Sequence, residues 1–220
     1  MEVARAESER GELVLRRRDD DTLELRANGV FVMDTAETTS ERALARAALA
    51  RHEHPEAVLV GGLGLGFTLA EVLADQRVRR VVVVEIEPAL VAWLRDGTVP
   101  HGPGLLDDVR VEVLVADVTE VIAATGRAAY DLVLLDVDNG PAYLVHDANA
   151  ALYAPPLLAA TRRTLRPGGL CVIWSAARDD ELDEALRQTF GNAEAASYDV
   201  DLQGRAEQYW LHLAWVRSGT

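Results

Sequence analysis

The sequence predicts an α/β fold: a mostly parallel twisted sheet with helices on both faces and an antiparallel last strand, preceded by a small N-terminal β-ribbon. Three observations carry this. From residue 57 onward, short apolar runs alternate with helical patterns, and parallel crossovers place helices over both faces of a sheet. The two closing β-like runs, residues 193–200 and 208–216, are joined by a turn at Gln203-Gly204. That is too short for a parallel crossover, so the last strand must run back. Ahead of residue 57, Asn28-Gly29 sits between β-like runs and is a type I′ hairpin signal.

Taken in order, residues 1–11 are polar and are expected to fray. Residues 12–18, 22–27 and 30–33 read as the ribbon. A helix capped at Ser40 or a neighbouring threonine runs to about Arg51, with Leu44, Ala47 and Ala48 on one face, and Pro55 closes it. Strand 58–60, helix 67–76, strand 81–84 and helix 89–95, opened by Pro88, follow. After a Gly/Pro loop at 100–104 come strand 109–115, a short helix from Thr119 and strand 130–135. Helix 148–165, the turn 166–169, strand 170–174 and helix 180–189 lead to the closing pair. The expected division is 1–54 for the ribbon and linking helix, and 55–220 for the sheet domain.

Composition narrows the function classes. With 220 residues, 49% of them hydrophobic and 26% charged, the chain has material for one sizeable core. No apolar run approaches the roughly 20 residues of a membrane span, and the N-terminus carries no signal-peptide core. The expectation is a cytoplasmic protein with no membrane partner. A net charge of −14 argues against nucleic acid, which requires cationic neutralisation of phosphates, and permits a cationic substrate. All 22 basic residues are arginine, which removes phosphate-loop nucleotide chemistry and lysine Schiff bases. Cys171, in a strand-like run, reads as a small core residue, and the histidines show no metal spacing, so no metal is expected.

In a sheet of this kind ligands bind beyond the carboxyl ends of the strands. Val58-Leu-Val-Gly-Gly-Leu-Gly-Leu-Gly-Phe-Thr68 opens a strand into glycines Gly61, Gly62, Gly64 and Gly66, a turn whose backbone N–H groups face whatever sits above it. Val81-Val-Val-Val-Glu85 ends the next strand in a carboxylate 23 residues after Gly62, a spacing at which an acid can accept from ribose hydroxyls. Together they predict a nucleoside-containing ligand. The remaining strands end at Asp117, Asp136 and Ser175. Asp117 reads either as a helix cap or as a contact to an adenine amino group, and Asp136, after the buried run Leu132-Val-Leu-Leu135, as functional.

These motifs resemble the class I S-adenosylmethionine-dependent transferases, a Rossmann-like methyltransferase fold, and within them the spermidine-synthase-like (aminopropyltransferase) family. The resemblance covers roughly residues 22–175. It is carried by Leu25-Arg-Ala-Asn-Gly-Val30, His54-Pro55, the glycine turn, Glu85-Ile-Glu-Pro88, Ala116-Asp117, Tyr130-Asp-Leu-Val-Leu-Leu-Asp-Val-Asp-Asn-Gly-Pro-Ala142 and Leu165-Arg-Pro-Gly-Gly169. It implies that the glycines and Ile86 cradle the cofactor, that Glu85 binds the ribose diol, that Asp117 and Val118 flank the adenine, and that Asp136 assists an amine nucleophile. Glu37, Asp138 and Tyr143 are the acceptor-side candidates, with His146 beside them. A homodimer through the ribbon is the family's implication; burial within one chain is the alternative.

The departures matter as much. Val32 stands where members with polyamine activity carry glutamine, and the family's Asp-Glu and Tyr-His-Glu elements fall on Glu37-Thr38 and Glu41-Arg42-Ala43. Only Glu37 keeps its charge in place, and Arg42 is expected to repel a polyamine. The glycine turn is apolar around Leu63 and Leu65, where the family's aspartate pairs with the amine end of decarboxylated S-adenosylmethionine. The expected reaction is therefore methyl transfer from S-adenosylmethionine to a small amine-bearing acceptor. Aminopropyl transfer from the decarboxylated cofactor is the alternative. A nicotinamide dehydrogenase and a cofactor-binding module without catalysis are the remaining readings.

Overall fold

A computed structural model describes residues 1–137, 147–202 and 204–218. Four antiparallel strands come first: β1 (Glu2–Ser8), β2 (Gly11–Arg17), β3 (Leu23–Ala27) and β4 (Val30–Asp34), in the order β1-β2-β3-β4. The N-terminal segment is thus a paired strand rather than a frayed end. Its alternation of half-buried and exposed positions lets Val3, Ala4 and Ala6 pack on the core, and β2 supplies the hydrogen-bonding partner. Asn28 and Gly29 both have positive φ, 51° and 77°, as a type I′ hairpin requires.

Helix α1 (Thr39–Arg51) leads into a seven-stranded sheet ordered β10-β11-β9-β8-β5-β6-β7. Its strands are β5 (Ala57–Gly61), β6 (Arg80–Glu85), β7 (Val111–Val115), β8 (Tyr130–Leu135), β9 (Leu165–Ser175), β10 (Glu194–Leu202) and β11 (Arg205–Trp215). The central five strands pair in parallel, while β11 runs antiparallel to both β9 and β10, as expected from the short closing turn. The sheet order starts at the centre and reverses after β7, so a switch point opens between β5 and β8, where Val58–Gly61 pair with Leu132–Leu135.

The valine-rich strands are apolar at every position because both faces are covered. Val58, Val60, Val81, Val83, Leu132 and Leu134 face one core. Their neighbours Leu59, Val82, Val84, Val133 and Leu135, with Cys171, face the other. The first core also takes in Leu13, Leu15, Leu23 and Leu25 of the N-terminal sheet and Leu44, Ala47 and Ala48 of α1, so ribbon and large sheet share one apolar interior. Cys171 is buried, and burial pushes its thiol up to about 12, consistent with a core residue.

The covering helices are α2 (Phe67–Ala74), α3 (Pro88–Arg95), α4 (Gly102–Leu106), α5 (Val118–Ala124), α6 (Pro155–Thr164) and α7 (Asp180–Phe190). Four local expectations change. The Gly/Pro loop at 100–104 forms α4, with Pro103 in its first turn, and strand β7 starts only at Val111 because Val109 is fully exposed. The helix expected over 148–165 is split into a 3-10 turn (Asp147–Tyr153) and α6, because Pro155-Pro156 lack the N–H groups that would continue the preceding turn. Arg166-Pro-Gly-Gly169 lies inside β9 as an irregularity in its pairing with β8, between Leu165 opposite Tyr130 and Leu170 opposite Leu132. No helix among the described residues is long and apolar enough to cross a membrane.

Candidate functional site

At the carboxyl ends of β5, β6, β7 and β8 the structure holds a cavity of about 230 Å³, roofed by the hairpins of the N-terminal sheet. Its floor is the glycine turn, and its geometry is set by backbone packing. Gly62 has φ +90°, donates its N–H to the carbonyl of Val84 at 2.9 Å, and lies so close to β8 that a β-carbon there would collide with the main-chain oxygen of Asp136. Gly64 has φ +50°, and a β-carbon there would come within 2.7 Å of the Met33 sulfur. Gly61 and Gly66 do not line the cavity. Gly61 lets Leu135 and Val118 close over the strand end, and Gly66, with φ +90°, turns the loop into α2 against Leu94 and Leu105.

Glu85 anchors this loop. One carboxylate oxygen accepts from the N–H of Leu63 at 2.8 Å and the other from the N–H of Glu87 at 2.8 Å. Burial pushes the Glu85 acid upward in spite of these amides. Ile86, Asp117 and Val118 line the same side. Asp117 proves to be a cap as well as a wall residue: Oδ1 accepts from the N–H of Thr119 at 2.8 Å and from its hydroxyl at 2.7 Å. From the opposite edge His101 supports the loop, its Nε2 lying 2.6 Å from the Leu65 carbonyl and its ring 5.0 Å from that of Phe67. Nothing in the spacing around His101 points to that contact, which depends on α4 folding back.

Asp136 stands at the far wall. Its N–H donates to the carbonyl of Gly61 at 2.8 Å, and its Oδ2 lies 3.5 Å from the Thr68 hydroxyl. Burial pushes the acid up to about 7, and the charges of Glu41 and Glu85 add to the shift. Glu41, from the first turn of α1, lines the cavity as well, and burial pushes its acid upward too.

The expected acceptor residue Glu37 is placed differently. It is not among the described residues lining the cavity, and its carboxylate accepts from the N–H of Thr39 at 2.7 Å, at the start of α1. One helical turn separates it from Glu41, and the helix turns Glu41 inward instead. Arg42 does not face the cavity: its guanidinium sits 5.3 Å from the centre of the Phe67 ring and pairs with Glu71 at 3.2 Å. Val32 does line the cavity, and at the end of β9 the lining residue is Trp174 rather than Ser175. The Ser175 hydroxyl instead donates to the Ala177 carbonyl at 2.7 Å. Asp138, Tyr143 and His146 lie outside the described residues. Among the described residues no cluster of His, Cys, Asp and Glu has metal-binding geometry.

A parallel sheet with this switch point, a glycine turn and acids at successive strand ends define the Rossmann-like class I methyltransferase fold, here with an added N-terminal β-sheet. Residues 37–190 match the model of the spermine/spermidine synthase domain. The chain belongs to the spermine/spermidine synthase family. It is 32% identical over 163 residues to polyamine aminopropyltransferase 2 of Pseudomonas aeruginosa, covering 71% of this chain and 44% of that one. It is 30% identical over 119 residues to putrescine N-methyltransferase 4 of Nicotiana tabacum, covering 53% and 29%. The chain thus spans less than half the length of these relatives. The crystal structure of spermidine synthase from Thermotoga maritima superimposes with a TM-score of 0.81 at 17% identity, over 97% of this chain and 72% of that one, a likeness of fold.

Proposed function

We propose that the protein transfers an alkyl group from a sulfonium nucleoside to the nitrogen of a small cationic amine, with aminopropyl transfer from decarboxylated S-adenosylmethionine as the reaction. The observation that carries this is Asp136: a buried carboxyl at a strand end, on the wall of the cavity, whose acid is held at about 7. A carboxylate poised near neutral pH can take a proton from an amine in the working range. The relatives support aminopropyl over methyl transfer, since several of them are named polyamine aminopropyltransferases.

The floor and walls fit a nucleoside cofactor: a loop kept open by glycines that admit no β-carbon, an anchored acid, and the apolar pair Ile86 and Val118. When bound, such a cofactor supplies the electrophilic carbon. Glu85 would accept from the ribose hydroxyls while holding the loop, and Asp117, whose cap uses Oδ1 alone, would offer Oδ2 to the adenine side. Asp136 orients the amine and accepts its proton, so that a nitrogen lone pair is free for attack.

Methyl transfer from S-adenosylmethionine is the second reading, favoured by one observation. Leu63 and Leu65 are buried and apolar, and Met33 fills the space beside Gly64. An acid in that turn would repel the cofactor carboxylate; none is there. Product analysis by mass spectrometry, with each cofactor offered against a panel of diamines and monoamines, separates the two. Aminopropylated amine from the decarboxylated cofactor is the expected product. Methylated amine alone would transfer the assignment to the second reading, and no product from either cofactor would refute both.

A further inference from the structure

The family's tyrosine element falls on Glu41 in this chain, and Glu41 lines the same cavity as Asp136. Thr68, on α2, ties it to Asp136. Its hydroxyl lies 3.2 Å from the main-chain oxygen of Glu41 and 3.5 Å from Asp136 Oδ2. Ser40 donates to Glu41 Oε2 at 2.9 Å. The same wall carries Trp174, packed edge-on against Tyr209 at 4.9 Å. The Trp174 indole N–H is itself buried and has no hydrogen-bond partner among the described residues.

Arg10 and Glu12 at the turn between β1 and β2, Glu87 after β6 and Asp117 after β7 line the cavity as well. Glu85 on β6 adds negative charge at Asp136, and Glu37 and Asp34 add it at Glu41. Arg18 is committed to Glu24 and Asp34, and Arg42 to Glu71. Burial, with the charges of Glu207 and Glu41 adding to it, pushes the hydroxyl of Tyr209, on β11, above its ordinary range. Among the described residues Arg10 is the one cation lining the cavity, and neither Glu41 nor Asp136 makes an ion pair. Two acids in one dry site resist ionising together, and a cation between them reverses that.

We propose that Glu41 is an acceptor-specificity residue of this chain: with Asp136, on the same cavity, it closes around the ammonium group of a small aliphatic amine. This rests on the amine-transfer reading for its substrate class, while its mark is a property of binding alone. A tyrosine at this position supplies an aromatic face and a hydroxyl; a glutamate supplies a second negative charge, so this site selects for cationic over neutral acceptors. The bond made is ionic, and a proton displaced from the acids leaves to solvent.

The test is titration calorimetry of the full chain with 1,4-diaminobutane at pH 7, in buffers of different ionisation enthalpy, with 1,4-butanediol as the neutral control. The wild type is expected to release close to one proton per amine bound and to ignore the diol. Glu41→Gln should bind the diamine at least tenfold more weakly and release fewer protons than the wild type, and Glu41→Asp should restore both. Thermal melting and binding of 5′-methylthioadenosine, unchanged in Glu41→Gln, show that the fold and the nucleoside side are intact. Equal affinity and proton release in wild type and Glu41→Gln, or no diamine binding by the wild type, would overturn the proposal. Diamine binding with the expected proton release but no transfer product in any assay would refute the transferase reading and leave this one standing.

Discussion

Gly62 and Asp136 meet main chain to main chain across the switch point, so closely that any side chain at 62 would occupy the carbonyl oxygen of Asp136. The cofactor floor and the acid on the far wall are therefore one rigid unit, joined also by the Asp136 N–H to the Gly61 carbonyl at 2.8 Å.

Substitution in this turn should be sharply graded. Gly62→Ala combines a left-handed φ of +90° with a collision against backbone, and should cost about 3 kcal/mol or more. Gly64→Ala meets only the end of the Met33 side chain, which can swing aside, and should cost about 1 to 2 kcal/mol, mostly for its positive φ. Urea unfolding of both variants checks the order; equal losses would show that the contact with Asp136 carries no cost.

Glu85 holds two backbone amides of the cofactor loop with one carboxylate. Glu85→Gln turns an amide NH2 against one of these donors, and should weaken binding of 5′-methylthioadenosine by about 2 kcal/mol, roughly 30-fold. Calorimetry of the variant measures this directly. Undiminished affinity would place the nucleoside elsewhere.

Asp136 makes stability depend on pH in a defined direction. The unfolded side chain gives up its proton near 3.8, whereas the folded one keeps it to about 7. The folded state thus binds the extra proton, and the contribution is full below pH 3.8 and lost as pH rises through 7. Over about three pH units this amounts to at most about 4 kcal/mol. Asp136→Asn, which cannot ionise, should be more stable than the wild type at pH 8, and this gap should close by pH 4. A gap that stays constant from pH 4 to 8 would contradict the buried acid, and the variant should also lose transfer activity.

Away from the cavity, Asp131 at the start of β8 accepts from the Ala57 N–H at 2.8 Å and pairs with Arg166 at 2.9 Å. Asp131→Ala leaves a buried amide and a guanidinium without their partner, and should cost about 3 kcal/mol. Arg166→Gln, whose side chain is 41% exposed, should cost no more than about 1 kcal/mol. Thermal unfolding of the pair tests whether the amide or the ion pair carries the stabilisation.

The sheet was legible because its signals are local. Val81-Val-Val-Val-Glu85 has no polar position to offer solvent, so it can only be an internal strand, and Gln203-Gly204 leaves no room for a crossover. Asn28-Gly29, Pro88 and the glycines each impose a backbone geometry on their own neighbours. The strand-end acids Glu85, Asp117 and Asp136 follow from where those strands stop, and all three reach the cavity.

Contacts between distant segments were decided by the tertiary structure alone. The polar run Glu2–Ser8 has no apolar alternation strong enough to announce a strand, yet it pairs with β2 because an edge was free. Whether Glu37 or Glu41 faces the cavity depends on the rotation of α1 against α2, which is set by packing of Leu44 and Ala48 and not by charge order along the chain. Arg42 is drawn away by Glu71, which lies 29 residues further on. The sequence by itself determined the parallel sheet, its glycine turn and the acids at its strand ends, since periodicity and backbone restriction act within a few residues. The tertiary structure decided which acids share a cavity and are pushed upward, since burial and mutual charge exist only once the segments have met.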